Sequence, residues 1–232
     1  MRIPNDYKNR MIPKVLHYCW FGPKPKPETF VGLIETWRRH NPDYEIREWN
    51  ESNFNYDAYL YSREAYRMGC YAHVSDVCRI HALYFHGGVY LDTDIEVVKP
   101  FDSLLKFQSF VGVETRYVGT CVIGAEAQTW WIGEFLKYYD TRHFINPFGH
   151  PRRKANTAIL TKTIIPSLPA EEWPLILPAD FLSCKDYYSG KIRLTDNTFS
   201  IHHYDASWRV KSRTLKDRLL ILLKGLRARY RR

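Results

Sequence analysis

The chain contains no apolar run approaching the ~20 residues that cross a bilayer, so no transmembrane span is expected in these 232 residues. Its opening, MRIPNDYKNR, has no apolar h-region, which predicts no secretory signal. No two of the five cysteines form a CxxC, and the count is odd. Cys19, Cys78 and Cys121 lie inside apolar stretches, beside Cys70 and Cys184 elsewhere. Free thiols in a reducing cytoplasm are expected, and a zinc site is not. Repeats and low-complexity segments are absent. With 45% hydrophobic and 25% charged residues, disorder, collagen and coiled coil are excluded as the main state. The length suits one α/β domain and is short for two.

An acidic or basic body is also missing. Ten of the 34 Lys and Arg lie between residues 209 and 232 against one acid, Asp217. That tail carries the whole net charge of +9, and residues 1–208 are neutral. In the tail, Leu215, Leu219, Leu222 and Leu226 recur at helical spacing, with Leu223 beside them and Lys216, Lys224 and Arg227 off the stripe. A basic amphipathic helix reads as an element for an anionic membrane surface. The alternatives are a helix docked on the body with a solvated charged face, or a tail on a nucleic-acid backbone. Tyr230 is its one aromatic, which disfavours nucleic acid.

Aromatic residues are abundant, at 16%, which serves a stacking site and a core equally well. Lys14–Trp20 reads as a buried strand, and the prolines at 23, 25 and 27 punctuate a loop. Glu28–His40 fits a helix closed by Asn41-Pro42, and Tyr44–Trp49 alternates as a second strand. The β-α-β order predicts a doubly wound sheet. Ala72–His86 is an amphipathic helix, with Val74, Cys78, Ala82 and Phe85 on one side and Ser75, Asp76 and Arg79 on the other. Gly87-Gly88 stops it, and a strand from Val89 is expected to run on through Val98 to Pro100. Further strands are expected at Ser109–Val113, Thr120–Ile123 and Phe199–Tyr204. Helices are expected at Gln128–Tyr139, Asn156–Ile165 and Thr214–Arg229. Residues 141–154 read as a mobile, functional loop.

The sharpest chemical feature is Asp92-Thr93-Asp94 at the end of the Val-Tyr-Leu strand. On extended backbone, residues i and i+2 share a face. Two close carboxylates are costly to bury unless a cation joins them, and hard oxygen ligands suit Mg²⁺ or Mn²⁺. Open α/β sheets bind ligands at this strand end. A divalent ion there offsets the charge of a diphosphate leaving group. Asp-x-Asp also arises by chance at solvated strand ends. Asp76 and Arg79, at i and i+3, share the helix face that turns back over the pair, where Arg79 suits a phosphate and Asp76 a sugar hydroxyl. A local salt bridge is the plainer reading of those two. In Ile201-His202-His203-Tyr204 adjacent side chains diverge, so one histidine faces the acids; His203, nearer Ser207 and Trp208, is preferred. Trp20, ending the first strand, suits either a nucleobase or the core.

The string AHVSDVCRIHALYFHGGVYLDTDIEVVKPF resembles the core motif of the DXD-containing sugar-binding-region glycosyltransferases, glycosyltransferase family 32. That family includes Golgi mannosyltransferases and bacterial capsule and lipopolysaccharide enzymes, and the string is similar to one in the large glucosylating bacterial toxins. IPKVLHYCWFG resembles its first strand and IHHYDASW its C-terminal motif. The resemblance covers roughly residues 12–105 and 199–208.

It implies an α/β GT-A fold with a mixed, mainly parallel sheet, and the charge boundary sets the expected single domain over 1–208 and the tail over 209–232. It implies that Trp20 packs near the base, Asp76 and Arg79 contact the donor sugar and phosphate, and Tyr90 contacts the nucleoside. Asp92 is implied at the ribose, sugar and metal, Asp94 as the direct metal ligand, and Ser207 and Trp208 at the β-phosphate. Ala206 stands where relatives often have Gly, and NTAILTK replaces their Gly-Pro turn.

The expected activity is retaining hexosyl transfer from a UDP-sugar, or from GDP-mannose, to a glycan acceptor. Mn²⁺ or Mg²⁺ is the expected cofactor, with His202 or His203 completing its sphere. The acceptor is expected to be polyprenyl-diphosphate-linked and to serve capsule, O-antigen or other surface polysaccharide synthesis. The expected location is the cytoplasmic face of the plasma membrane, held through residues 209–232, with no nucleic-acid partner. Two rivals remain: a phosphohydrolase using Asp76, Asp92, Asp94 and Glu96, and a non-catalytic membrane-associated glycan-binding protein.

Overall fold

A computed structural model describes residues 11–205 and 215–230. The chain opens with strand β1 (Val15–Cys19), helix α1 (Glu28–His40) and strand β2 (Glu45–Trp49). Helices α2 (Leu60–Met68) and α3 (Tyr71–His86) follow, then β3 (Gly88–Leu91) and β4 (Ile95–Val97). Next come β5 (Ser109–Glu114), β6 (Tyr117–Ala125), α4 (Trp130–Asp140) and α5 (Asn156–Ile159). The last elements are β7 (Leu175–Leu177), α6 (Ala179–Leu182), β8 (Ser200–His202) and α7 (Leu215–Tyr230).

Six strands form one sheet in the order β2-β1-β3-β6-β5-β7. The β1–β2, β1–β3 and β5–β7 pairs are parallel, and β6 runs against both its neighbours. Strand side chains alternate between the two faces. Leu16, Val89 and Leu91 join the core under α1, while Tyr90 and Ile123 join the core under α2, α3 and α4. Tyr90 thereby comes to lie against α3.

Two glycines set the step from α3 into β3. Gly87 (φ +64) and Gly88 (φ +110) occupy backbone that side chains rarely adopt. A Cβ on Gly88 would lie 2.7 Å from the Val15 carbonyl and 2.8 Å from His17 Nε2. His17 fixes this junction. Its Nδ1 accepts from Trp49 Nε1–H (3.0 Å), so its Nε2–H donates to the Gly87 carbonyl (2.7 Å).

Four expectations need correction. The strand from Val89 stops at Leu91. Residues 92–94 turn, and Ile95–Val97 leaves the main sheet to pair antiparallel with β8. The helix over 156–165 is a single α-turn that widens into a π-helical stretch over Leu160–Ile164. The segment 141–154 is anchored: Phe144 and Ile145 are fully buried, and Glu64 accepts from the Ile145 amide (2.9 Å). The leucine stripe of the tail is divided. Leu219 and Leu223 point outward with Leu220, while the Leu226 side chain and the Leu222 carbonyl lie against Gly149. Helix α7 lies on the body through Gly225 and Ala228, and Lys224 Nζ donates to the Met68 carbonyl at the end of α2 (3.0 Å). No helix among the described residues is long and apolar enough to cross a membrane. All five cysteines are free, and Cys19, Cys78, Cys121 and Cys184 are buried.

Candidate active site

The site forms at the carboxyl edge of the sheet, where β1, β3 and β5 end and β6 begins. Asp92 leaves β3 with its amide bonded to the Cys121 carbonyl of β6 (2.8 Å). Two donors fall on Asp92 Oδ1, the Tyr90 hydroxyl at 2.9 Å and Arg79 Nη1 at 3.0 Å. Arg79 also reaches Asp76 Oδ1 (3.0 Å) and the Thr120 carbonyl (2.7 Å), with its guanidinium 4.5 Å above the Tyr90 ring. The other oxygen of Asp76 stands 3.3 Å from His73 Nδ1, which makes no hydrogen bond among the described residues.

Asp94 is placed by β8. Ile95 pairs with His202, the His203 amide donates to the Asp94 carbonyl (3.0 Å), and the Asp205 amide donates to Asp94 Oδ2 (3.0 Å). His202 Nε2 stands 3.4 Å from Asp94 Oδ2, and its Nδ1 stands 3.6 Å from Glu114 Oε1. His202, not His203, therefore faces the acids. His203 lies on the opposite side of the strand, its Nε2 2.8 Å from Glu96 Oε2.

Burial and charge set the protonation of this corner. Burial, aided by the Asp94 charge, raises the Asp92 carboxyl to about 6 against the pull of Arg79. Burial also pushes Asp94 upward, but bonds from His202 and the Asp205 amide outweigh it and hold the group below its ordinary value. Burial raises Glu114. Burial disfavours a charged His202, yet Cys121 and Asp94 hold it above the ordinary histidine range. Arg79 stays charged despite burial because Asp92, Tyr90 and Asp76 surround it.

The donor set fits a hard divalent cation. Ligand atoms of Asp92, Asp94 and His202 lie within 4.8 Å of one another, two carboxylates and one imidazole. Both bonds to Asp92 fall on Oδ1, so Oδ2 is the oxygen left for a cation. A second set, Glu114, Cys121 and His202, meets the same criterion through the other side of the His202 ring.

The remaining predicted residues divide. Asp76 and Arg79 do join Asp92, but Arg79 is 6% exposed and each of its contacts is internal, so it organises the acids rather than offering an open cation. Tyr90 is 1% exposed and has no surface for a nucleoside; it supports Asp92 from below. Trp20 stacks on Phe30 (5.7 Å between centroids, 13° apart), donates to the Lys24 carbonyl (2.8 Å) and is half-buried at the end of β1. Ser207 and Trp208 lie outside the described residues. The four-carboxylate hydrolase site does not assemble, because Glu96 turns to His203 and Asp76 to Arg79.

Glu114 was not anticipated. Its signal is an acid closing an apolar strand, SFVGVE, and that becomes informative only once the Glu114–Tyr117 pairing of β5 with β6 places it at this edge.

Fold and site together give a GT-A type α/β fold with an acidic cluster at the carboxyl edge of its sheet. Residues 27–111 match the family model described as glycosyltransferase sugar-binding region containing DXD motif. Inositol phosphoceramide mannosyltransferase 3 of Schizosaccharomyces pombe is 30% identical over 113 residues, 43% of this chain and 29% of that protein. Inositol phosphoceramide mannosyltransferase 1 of the same yeast is 30% identical over 117 residues, 47% of this chain and 36% of that protein. The chain thus spans about a third of the length of the curated relatives it matches. The solved structure of the glycosyltransferase GlyE of Streptococcus pneumoniae TIGR4, in its apo form, superposes with a TM-score of 0.52 at 10% identity. It covers 94% of this chain and 61% of that one, and shows the fold alone.

Proposed function

We propose that the chain is a divalent-metal-dependent, retaining glycosyltransferase that moves a hexose from a nucleotide-diphosphate sugar to a glycan acceptor. The observation that carries this reading is the convergence of Asp92, Asp94 and His202 at the carboxyl edge, inside a chain carrying the DXD region. A bound Mn²⁺ or Mg²⁺ would offset the charge of the diphosphate leaving group. Asp92, Asp94 and His202 are the residues that would hold the ion. Arg79 favours the ionised form of Asp92 and orients Asp92 and Asp76, and Asp76 stands toward the donor sugar. Trp20 lies at the neighbouring strand end, on the side suited to the base. No side chain is assigned as general base; the leaving phosphate accepts the acceptor's proton in a same-face displacement.

UDP-sugars and GDP-mannose are the donor classes in this reading, and the mannosyltransferase names of the two yeast relatives favour mannose. Those relatives are named for a lipid acceptor, which supports a lipid-linked acceptor over a free glycan and lends no weight to a bacterial capsule. Association with the cytoplasmic face of an anionic membrane belongs to the same reading. It is supported by the outward Leu219, Leu220 and Leu223 on a helix within the basic tail.

The test is a panel of UDP-glucose, UDP-galactose, UDP-N-acetyl sugars and GDP-mannose with Mn²⁺, scoring thermal stabilisation and nucleoside diphosphate release. One donor should respond, and Asp94→Ala should abolish the response. Equal behaviour of wild type and variant with every donor overturns the reading and favours a glycan-binding protein.

A further inference from the structure

His202 faces two clusters. Its Nε2 stands toward Asp94 at the donor edge, and its Nδ1 stands toward Glu114. Three strands build the second cluster. Glu114 ends β5, Cys121 lies within β6 and His202 ends β8, and their ligand atoms fall within 4.8 Å of one another. Along β6, residues 119 and 121 share a face. Gly119 leaves room on that face: a Cβ there would stand 3.0 Å from Glu114 Cβ and 3.1 Å from its Oε2. The Glu114 side chain therefore folds over Gly119 toward Cys121. Sheet register assembles this set, so the absence of a CxxC in the sequence does not bear on it.

The geometry is that of ligands more than of a hydrogen-bonded group. His202 Nδ1 is buried with no hydrogen-bond partner. Glu114 Oε1 lies 3.6 Å from it, beyond hydrogen-bond range. Two ligands held by one tetrahedral Zn²⁺ are themselves about 3.4 Å apart, close to that spacing. Cys121 is buried, and the Ser183 hydroxyl lies 3.3 Å from its sulfur, a neutral oxygen at hand for a fourth position. Glu114 is less buried than the other two and gives an ion its way in. A thiol, an imidazole and one carboxylate suit Zn²⁺ or Co²⁺, whereas the two carboxylates of the donor edge suit Mn²⁺ or Mg²⁺.

We propose that Glu114, Cys121 and His202 form a second metal site, selective for a thiophilic divalent ion and antagonistic to the ion of the donor edge. The antagonism follows from one ring serving both sets. A neutral imidazole has one nitrogen lone pair free for a ligand. An ion on Nδ1 leaves the proton on Nε2, which then faces Asp94 as a donor and ligates nothing. The thiophilic site stands on its own cluster. Its antagonism rests on the reading of Asp92, Asp94 and His202 as the donor-edge cation site.

The test uses the full chain stripped of metal by dialysis against EDTA, with Co²⁺ as a spectroscopic stand-in for Zn²⁺. Co²⁺ should give a thiolate-to-metal charge-transfer band in the near ultraviolet, and Zn²⁺ should bleach it. Cys121→Ser and Cys121→Ala should both lose the band, and Asp94→Ala should keep it. Glu114→Gln should weaken Co²⁺ binding by at least about tenfold. Coupling between sites is reciprocal, so Mn²⁺ should weaken Co²⁺ binding at the thiolate by at least about tenfold in wild type and not in Asp94→Ala. A band absent from wild type, or equal in both Cys121 variants, overturns the site. An equal effect of Mn²⁺ on wild type and Asp94→Ala overturns the antagonism. If wild type binds no Mn²⁺ in calorimetry, the donor-edge reading fails, and the Co²⁺ band still decides the thiophilic site.

Discussion

At the carboxyl edge of the sheet, Asp76 and Asp92 close on one buried guanidinium, and Asp94 stands beside them, with Asp92 and Asp94 partly open to solvent. At the α2–α7 cleft, three guanidiniums share an opening with one acid whose oxygens are both occupied. The first corner is internally compensated along one side and open to a cation on the other. In the second, neutral carbonyls are among the groups that accept from Arg67 and Arg229, and Arg63 makes no side-chain hydrogen bond or ion pair among the described residues. Buried charge that is paired serves as scaffold. On this view Arg79 is scaffold although it lies in the matched DXD region.

The contrast can be broken most severely at Asp94. Asp94→Ala removes the oxygen bonded to Asp205 and facing His202, and donor turnover should fall by at least about 10²–10³-fold. The fall is read as nucleoside diphosphate release, with Tm little changed. Arg79→Leu strikes the scaffold instead. It strands Asp76 and Asp92 in a buried setting and should cost about 3–5 kcal/mol in chemical denaturation. Arg79→Lys should recover only part of that, since an ammonium cannot span Asp76, Asp92 and the Thr120 carbonyl together. Stability unchanged by Arg79→Leu would contradict its role as scaffold.

Glu114→Gln is milder. The carboxylate near His202 Nδ1 should orient the ring, and its loss should weaken Mn²⁺ binding by about tenfold in calorimetry. The smallest effect lies in the core. Burial depresses His17 to about 4, so the fold favours the neutral ring. That stability is full above the unfolded value of about 6.5 and is lost as pH falls toward 4, amounting to about 2 kcal/mol between pH 7 and pH 5. Asp92, raised to about 6, acts in the opposite sense. The decline is therefore best measured by urea denaturation in an Asp92→Asn background, where a flat profile would contradict the role of His17.

The N-terminal half was largely legible because its local signals agree with its packing. Helix α1 has the expected bounds, β1 and β2 lie within one residue of theirs, and the glycine pair marks the step into β3. Legibility fails where long-range pairing overrides local pattern. Residues 92–98 alternate like one strand, yet β8 draws Ile95–Val97 into a separate sheet, and that same pairing selects His202 over His203. Proximity to Ser207 and Trp208 along the chain pointed to the wrong histidine, because strand parity and not sequence distance decides which ring faces Asp94. Glu114 was unreadable without the hairpin register, whereas α2 carries a local signal that went unread, with Tyr61, Ala65 and Met68 on one buried face and Gly69 closing the helix. The leucine stripe was visible, but its division into docked and outward halves depends on Gly149 meeting Gly225.

The most direct test of the central claim is calorimetric titration of Mn²⁺ into the full chain, with and without UDP or GDP, for wild type and Asp94→Ala. The account predicts one metal site in wild type, strengthened by the diphosphate and absent in the variant. Equal Mn²⁺ binding by both proteins, or none by either, would contradict it.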